Sequence, residues 1–110
     1  MKNDTLYLGH IRDAIDKINS YIAQMNYEEF SCDDMATDAV VRELEIVGEA
    51  CNNLSPEFRE RNDKIPFRDI IDMRNVLIHQ YAGVNIKIIW DTCKNDLPLL
   101  LDFVEKSLNE

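Results

Sequence analysis

The segment Met73–Gly83 (MRNVLIHQYAG) holds the side chains of this sequence that are best suited to acid–base and phosphate chemistry: Arg74, Asn75, His79 and Tyr81. A histidine with a pKa of about 6.5 can accept or donate a proton at neutral pH. A planar guanidinium stabilises negative charge that develops on phosphate oxygens. Because RNA carries its own nucleophile, the 2'-hydroxyl, an arginine and a histidine could cleave it without a metal ion.

Helix geometry alone does not bring Arg74 and His79 together. At about 100° per residue, Arg74 lies about 40° from Ile70, inside the apolar arc, whereas His79 lies about 140° from Arg74. An arginine in an apolar arc is costly unless a partner meets its charge, so we expect such a partner. For both groups to reach one phosphate, the arginine must wrap around the helix, the helix must bend before His79, or the groups must meet across a subunit interface.

Each of these side chains also has an ordinary structural interpretation. Arg74 could form a salt bridge with an acid such as Glu49, which could instead tune His79 or face water. Asn75 lies one turn before His79 and could orient the imidazole, contact a phosphate or be solvated. A tyrosine near a helix end, such as Tyr81, is ordinarily a packing residue with an exposed hydroxyl.

The remaining polar candidates are weaker. The second histidine of the chain, His10, is expected on the polar side of the first helix, as a surface group. Residues 59–81 carry five basic and four acidic side chains, so this region is not acidic. Its cations could flank an RNA path, although a mixed solvated face is the better explanation for any one of them: Arg59, Arg61, Lys64 and Arg68.

Two apolar stripes with helical spacing precede this segment. The first predicts a helix capped by Asn3 or Asp4, and its core residues are Leu8, Ile11, Ile15, Ile18, Ile22 and Met25. Residues 26–30 lose the period. Ser31 and Asp34 then favour a capping box that opens a second helix, which runs to Ser55 and has the core residues Val40, Leu44, Val47, Cys51 and Leu54.

Two further helices follow a polar connection at residues 56–65, which could contain a short helical turn. Pro66 suits the first position of the third helix, and Gly83 is its expected stop. Asn85 is the expected cap of the fourth helix, within which Pro98 predicts a kink or short break. No strand is required, and the fold class is therefore predicted as all-α, an up-and-down four-helix bundle.

Composition limits the architecture and the partners. A chain of 110 residues with 45% hydrophobic residues suits one domain, which can bury a core without disulfides. The net charge of -9 opposes broad phosphate-tracking grooves and anionic membrane surfaces, so nucleic-acid contact must be local. Three separated cysteines without a Cys-x-x-Cys pair predict free, mostly buried thiols and no thiolate metal site. Without a secretory or membrane-spanning segment, the expected location is the cytoplasm.

The sequence resembles the HepT toxins of the HEPN superfamily. The Arg-x4-His-x-Tyr motif of that family is matched by Arg74, His79 and Tyr81. The resemblance runs nearly end to end, through YLGHIRDAIDKINSYI, DAVVRELEIVGEA, IPFRDIIDMRNVLIHQY and WDTCKNDLPLLL. It implies a single HEPN/HepT-like helical domain over residues 1–110, forming a homodimer whose two motifs line a cleft.

The resemblance also implies a function. The chain would be the toxin of a toxin–antitoxin pair, a metal-independent RNA endonuclease that needs no cofactor, with Arg74 and His79 as catalytic residues and Asn75 and Glu49 supporting the site. The implied partner is a minimal nucleotidyltransferase (MNT) antitoxin that transfers AMP to the motif tyrosine, Tyr81. The added bulk and negative charge would repel RNA from the cleft. The alternative is a catalytically inactive HEPN-like module that binds a nucleotide, RNA or a protein partner.

Overall fold

All regular secondary structure in the described residues is helical. The computed structural model describes residues 2–79 and 85–110, with only the backbone at Lys2, Ile78 and His79. The helices are α1 (Lys2–Ile22), α2 (Tyr27–Ser31), α3 (Asp34–Asn53), α4 (Pro56–Arg61), α5 (Phe67–His79), α6 (Ile86–Asp91) and α7 (Leu97–Leu108), with a π-helical segment (Thr92–Asp96) joining α6 to α7. The predicted all-helical class is confirmed for this part of the chain. The up-and-down topology and the homodimer stay predictions.

Helix α3 lies at the centre of the packing. It contacts α1 on one side and α5 on another, and α1 also packs against α7. Burial agrees with the two predicted stripes. The five stripe residues from Leu8 to Ile22 are buried, as are all five of the second stripe, whereas Met25 is partly buried. Trp90 joins the same core beside Phe30, with ring centroids 5.2 Å apart. Helical periodicity therefore identified the buried faces correctly.

The expected cap of α1 is wrong. The helix already includes Lys2, and Asp4 is buried inside its first turn. The Asp4 carboxylate accepts hydrogen bonds from the Ser55 backbone amide at 2.7 Å and from the Ser55 hydroxyl at 2.8 Å. Burial acts to raise the pKa of Asp4, but the Ser55 hydrogen bonds favour the charged form and the pKa is lowered. Asp4 thus ties α1 to the start of α4.

The connection between α1 and α3 also differs from the prediction. Residues expected to be irregular form the short helix α2, because Asn26 and Glu29 make a reciprocal capping box and Phe30 is buried in the core. The expected box at Ser31 and Asp34 is wrong. Asp33 caps α3 instead, accepting from the Ala36 amide at 2.9 Å, and the helix ends at Asn53 rather than Ser55.

The later elements follow the sequence more closely. The possible helical turn after residue 55 is α4, with Ser55 as its N-cap. Helix α5 begins at Phe67, one residue after Pro66. Asn85 caps α6, accepting from the Lys87 and Ile88 amides. The predicted end of the third helix at Gly83 lies outside the described residues.

Pro98 perturbs its helix as expected, but without ending it. The π-helical segment stands directly before the proline, and the Leu97 amide donates to the Thr92 carbonyl five residues back. A proline has no amide hydrogen and crowds the preceding turn, so a wider turn accommodates it without breaking the helical path. The path from α6 to α7 is therefore helical throughout.

Candidate functional site

The site is built where α5 crosses α3 at a glycine. A methyl group placed on Gly48 would overlap the Arg74 Cβ, lie 2.8 Å from its Cγ, and lie 3.4 Å from the Ile70 carbonyl oxygen. Gly48 is buried, so the stem of the arginine occupies the space that a side chain at position 48 would fill. The glycine therefore allows an arginine on the apolar arc of α5 to pass over α3.

The expected partner of Arg74 is Glu49. Nη2 of Arg74 lies 2.6 Å from Oε1 of Glu49, which joins α5 to α3 by an ion pair. Nη1 donates to the Asn75 side-chain oxygen at 3.1 Å, and the Asn53 amide donates to the other Glu49 oxygen at 3.4 Å. The guanidinium is thus anchored by groups from both helices.

These contacts use only part of the hydrogen-bonding capacity of Arg74. The Arg74 side chain is 29% exposed and that of Glu49 is 50% exposed. Each terminal guanidinium nitrogen carries two N–H groups, and each makes one of the contacts above. Nε is buried, without a hydrogen-bond partner among the described residues. A planar cation with remaining N–H groups at the surface can bind phosphate oxygens.

Beside this ion pair lies an open pocket of about 230 Å³, which we call the Arg74 pocket. Its walls come from α1, α3 and α5, three helices that are far apart in sequence. The lining residues are Tyr7, His10, Arg42, Glu45, Ile46, Glu49, Ala50, Asn53 and Arg74. The pocket has an apolar part, an aromatic pair and a charged rim.

The predicted site residues divide into those that the structure brings together and those that it does not. Arg74, Glu49 and Asn75 are in contact. His79 is the last residue of α5, but its side chain lies outside the described residues, as does the whole of Tyr81. The convergence of His79 with Arg74 therefore stays a prediction.

The weaker cationic candidates lie elsewhere. Arg68 is exposed at the start of α5 and lines a separate open cavity with Arg59, Pro56 and Phe67. Lys64 is exposed in the turn before α5. Neither lines the Arg74 pocket. Their role beside an RNA path stays a prediction.

The sequence predicted only a surface role for His10. It is exposed, as expected, but it lines the same pocket as Arg74. Its ring stands edge-on to Tyr7, with centroids 5.8 Å apart and an interplanar angle of 85°. In the sequence, Tyr7 and His10 are three residues apart, which predicts that their rings lie on the same face of α1. This spacing does not predict which residues of other helices that face contacts.

The three cysteines of the described residues differ in burial. Burial raises the pKa of Cys51 and of Cys93 to about 12, so both thiols are protonated at neutral pH, whereas Cys32 is exposed. Among residues 2–79 and 85–110, no cluster of three or more histidine, cysteine, aspartate or glutamate side chains is placed to hold a metal ion. None of the described helices is long and apolar enough to cross a membrane.

Known proteins match this sequence over nearly its whole length. The model of the family described as Ribonuclease HepT-like matches residues 11–107. A protein of Caldanaerobacter subterraneus subsp. tengcongensis named "Putative RNase TTE0752" is 41% identical over 110 residues, all of this chain and 98% of that protein. A protein of Thermococcus cleftensis named "Probable ribonuclease HepT" is 40% identical over 91% of both chains.

A third relative is longer. The Methanocaldococcus jannaschii protein named "Gamma-glutamylcyclotransferase and putative RNase MJ0434" is 37% identical over 99% of this chain, which spans 49% of that protein. No solved structure matches.

Proposed function

The chain belongs to the ribonuclease HepT-like family, and from this premise we propose that it is a metal-independent RNA endonuclease with Arg74 and His79 as catalytic residues. The observation that carries the proposal is the anchoring of Arg74 in the lining of an open pocket, with N–H groups left for a phosphate. The curated relatives are named as ribonucleases, which supports the same reaction class.

In the proposed reaction, the attacking group is the 2'-hydroxyl of the RNA. His79 acts in proton transfer: as base, its neutral imidazole takes the 2'-hydroxyl proton while the 2'-oxygen attacks the adjacent phosphorus. The bond from phosphorus to the 5'-oxygen breaks, and that oxygen receives a proton from the protonated imidazole or from water. The products are a 2',3'-cyclic phosphate and a 5'-hydroxyl. Arg74 stabilises the negative charge on the non-bridging oxygens as the phosphorane-like transition state forms.

Glu49 is proposed as a positioning residue for Arg74. A half-exposed ion pair of this kind contributes roughly 0–1 kcal/mol in water. That is weak enough for an incoming phosphate to draw the guanidinium away from the carboxylate, yet sufficient to hold the side chain near one orientation beforehand. Asn75 assists by accepting from the other terminal nitrogen.

A homodimer is part of the proposal. On one α5 helix, Arg74 and His79 are about 140° apart by ideal geometry, so two copies could supply the pair of groups at a shared cleft. An acidic chain would then have one locally favourable site for RNA. Sedimentation analysis of the pure protein would measure this state, and a monomer that cleaves RNA at full rate would contradict it.

Regulation by an antitoxin is the other part. The partner is proposed to be an MNT nucleotidyltransferase. In the reaction it would catalyse, the Tyr81 hydroxyl oxygen attacks the α-phosphorus of ATP, pyrophosphate leaves, and the hydroxyl proton passes to solvent or to a base of the partner. The resemblance of Arg74, His79 and Tyr81 to the family motif supports this. The attached AMP would add bulk and negative charge beside the proposed RNA-binding cleft and repel RNA.

The test of the nuclease proposal is cleavage of RNA by the pure protein in EDTA. Wild type is compared with His79→Ala, Arg74→Ala and Arg74→Lys, and the ends of the products are identified by mass spectrometry. We expect cyclic phosphate ends from wild type and losses of at least about 100-fold in both alanine variants, in line with the usual contribution of a proton-transfer group. Equal cleavage by all four proteins would discard the assignment. RNA binding that survives His79→Ala, with no turnover in either form, would favour the inactive binding module.

A further inference from the structure

One wall of the Arg74 pocket is not used by the proposed phosphate chemistry. Tyr7 and His10 of α1 form an edge-on aromatic pair there, and Ile46 and Ala50 of α3 add apolar surface. His10 is exposed, so its ring is accessible to a ligand in the pocket. Exposed rings beside apolar surface are suited to stacking with a flat, uncharged ring.

The charges around the pocket disfavour a second phosphate. Glu45 and Glu49 both line it, and the guanidinium of Arg42 lies 3.7 Å from the Glu45 carboxylate. A phosphate entering beyond Arg74 would therefore meet two carboxylates and one further arginine, Arg42, and this surrounding is net negative. Carboxylate oxygens instead favour N–H donors, which nucleobases present at their edges.

The size of the pocket limits the part of a ligand that can be enclosed. Its volume of about 230 Å³ is below the roughly 300 Å³ at which pockets for drug-sized ligands begin. One ring system therefore fits inside the pocket, and because the pocket is open, the rest of a nucleotide can lie outside it. Since Arg74 lines the pocket and its side chain is partly exposed, a phosphate bound to Arg74 and a base inside the pocket can belong to neighbouring parts of one RNA strand.

We propose that the Arg74 pocket binds one unpaired nucleobase of the RNA, next to the phosphate held by Arg74. The base stacks on His10 with Tyr7 behind it, and the Glu45 carboxylate accepts hydrogen bonds from the N–H groups of the base. Guanine is the best fit because it alone presents two neighbouring N–H donors, at N1 and N2, on one edge. The assignment of this base to an RNA substrate rests on the proposed nuclease function. Binding of a nucleobase in the pocket does not depend on that function.

Binding is tested on the full chain by NMR. The chain has two histidines, so the His10→Ala variant identifies the ring signal of His10. The probes are 3'-GMP, 3'-AMP, 3'-CMP and 3'-UMP, with inorganic phosphate as the control. We expect 3'-GMP to shift the His10 signal upfield, saturably and at the lowest concentration, and phosphate to leave it unmoved. If no nucleotide moves the signal, or phosphate moves it equally, the proposal is wrong.

Cleavage of defined oligonucleotides gives the second readout. His10→Ala should raise KM about ten-fold, the usual effect of losing a base–aromatic stack, with kcat little changed. His10→Phe should retain the wild-type KM, because a ring is restored without proton-transfer capacity. Glu45→Gln should reduce the preference for guanine, and Asn19→Ala, an exposed change elsewhere on α1, should have no effect. Loss of kcat in His10→Phe would contradict the stacking role.

The two proposals fail differently. If wild type does not cleave RNA but 3'-GMP still shifts His10, the nuclease proposal is wrong and the base pocket stands. If wild type cleaves RNA and the His10 and Glu45 variants match it in KM and base preference, the nuclease stands and the base pocket is wrong.

Discussion

The Arg74 side chain crosses α3 at Gly48, in a space that even a methyl group on the glycine would fill. One residue further along α3, Glu49 meets the guanidinium at 2.6 Å. Gly48 thus makes room for the aliphatic part of the Arg74 side chain, and Glu49 orients its guanidinium. These two contacts determine where the cation lies relative to the Arg74 pocket.

Gly48→Ala should destabilise the fold and reduce RNA cleavage. The added methyl overlaps the Arg74 Cβ, so α5 must shift, and overpacking of this kind typically costs about 1–3 kcal/mol. Alanine gains up to about 1 kcal/mol in helix propensity, which offsets only part of this. Urea unfolding and cleavage rates are measured together.

Gly9→Ala is the matched control, because a methyl group there has no neighbour within 4 Å. It should raise stability by up to about 1 kcal/mol and leave cleavage unchanged. If Gly48→Ala behaves like Gly9→Ala, the close approach at Gly48 has no energetic meaning.

Glu49→Ala should separate binding from turnover. Removing the carboxylate leaves Arg74 free for phosphate, so KM for RNA should fall, while kcat should also fall because the guanidinium is no longer held in one orientation. Stability should change by less than about 1 kcal/mol, since the pair is half exposed. Glu57→Ala, an exposed acid on α4, controls for the change in net charge. Identical kinetics in the two variants would remove Glu49 from the site.

Asp4→Asn should destabilise the protein in a pH-dependent way. Two hydrogen bonds to the buried carboxylate are weakened, at a cost of about 1.5–3 kcal/mol at pH 7. Because the folded-state pKa is lowered from 3.8, the stabilisation by Asp4 is present above pH 3.8 and lost as pH falls through the folded-state pKa. The difference in unfolding free energy between wild type and variant should therefore shrink below about pH 4.

The exposed Asp16 of the same helix is the control for this measurement. Asp16→Asn should stay within about 0.5 kcal/mol of wild type at every pH. A constant difference for Asp4→Asn down to pH 2 would show that the carboxylate charge is not what stabilises the contact with Ser55.

Thiol labelling should distinguish the three cysteines. Cys32 is exposed, whereas burial raises the pKa of Cys51 and Cys93 to about 12, so native protein should react quickly with DTNB at one site and unfolded protein at all three. Cys32→Ser should abolish the fast phase. RNA cleavage should survive labelling of the native protein, because no thiol is assigned to the chemistry. Rapid reaction at all three sites would contradict the buried positions of Cys51 and Cys93.

Modification of Tyr81 should be visible as added mass. Co-expression with the MNT partner should add one or more AMP units to wild type and none to Tyr81→Phe. Tyr21→Phe, which changes an exposed tyrosine of α1, should be modified like wild type. An unchanged wild-type mass in the presence of ATP and magnesium would remove the regulatory proposal and leave nuclease activity open.

The helical class, the buried faces of α1 and α3, the Asn85 cap and the need for a partner beside Arg74 could all be predicted from the amino-acid sequence. These features are local: side-chain periodicity and capping depend on residues three or four positions apart. Even so, the start of the first helix and the cap of α3 were misassigned, and α2 was missed. Asp4 is held by Ser55, far along the chain, and α2 is stabilised by burial of Phe30.

Helix packing was needed to show that Glu49 is the partner of Arg74, that Gly48 makes room for the arginine, and that His10 lines the same pocket. Each of these relations joins helices separated by tens of residues. Helix periodicity fixes which face a side chain occupies, but the packing of α1, α3 and α5 fixes what that face meets. Candidate site residues could therefore be named from the sequence, whereas the surroundings of the described ones followed from the way the helices pack.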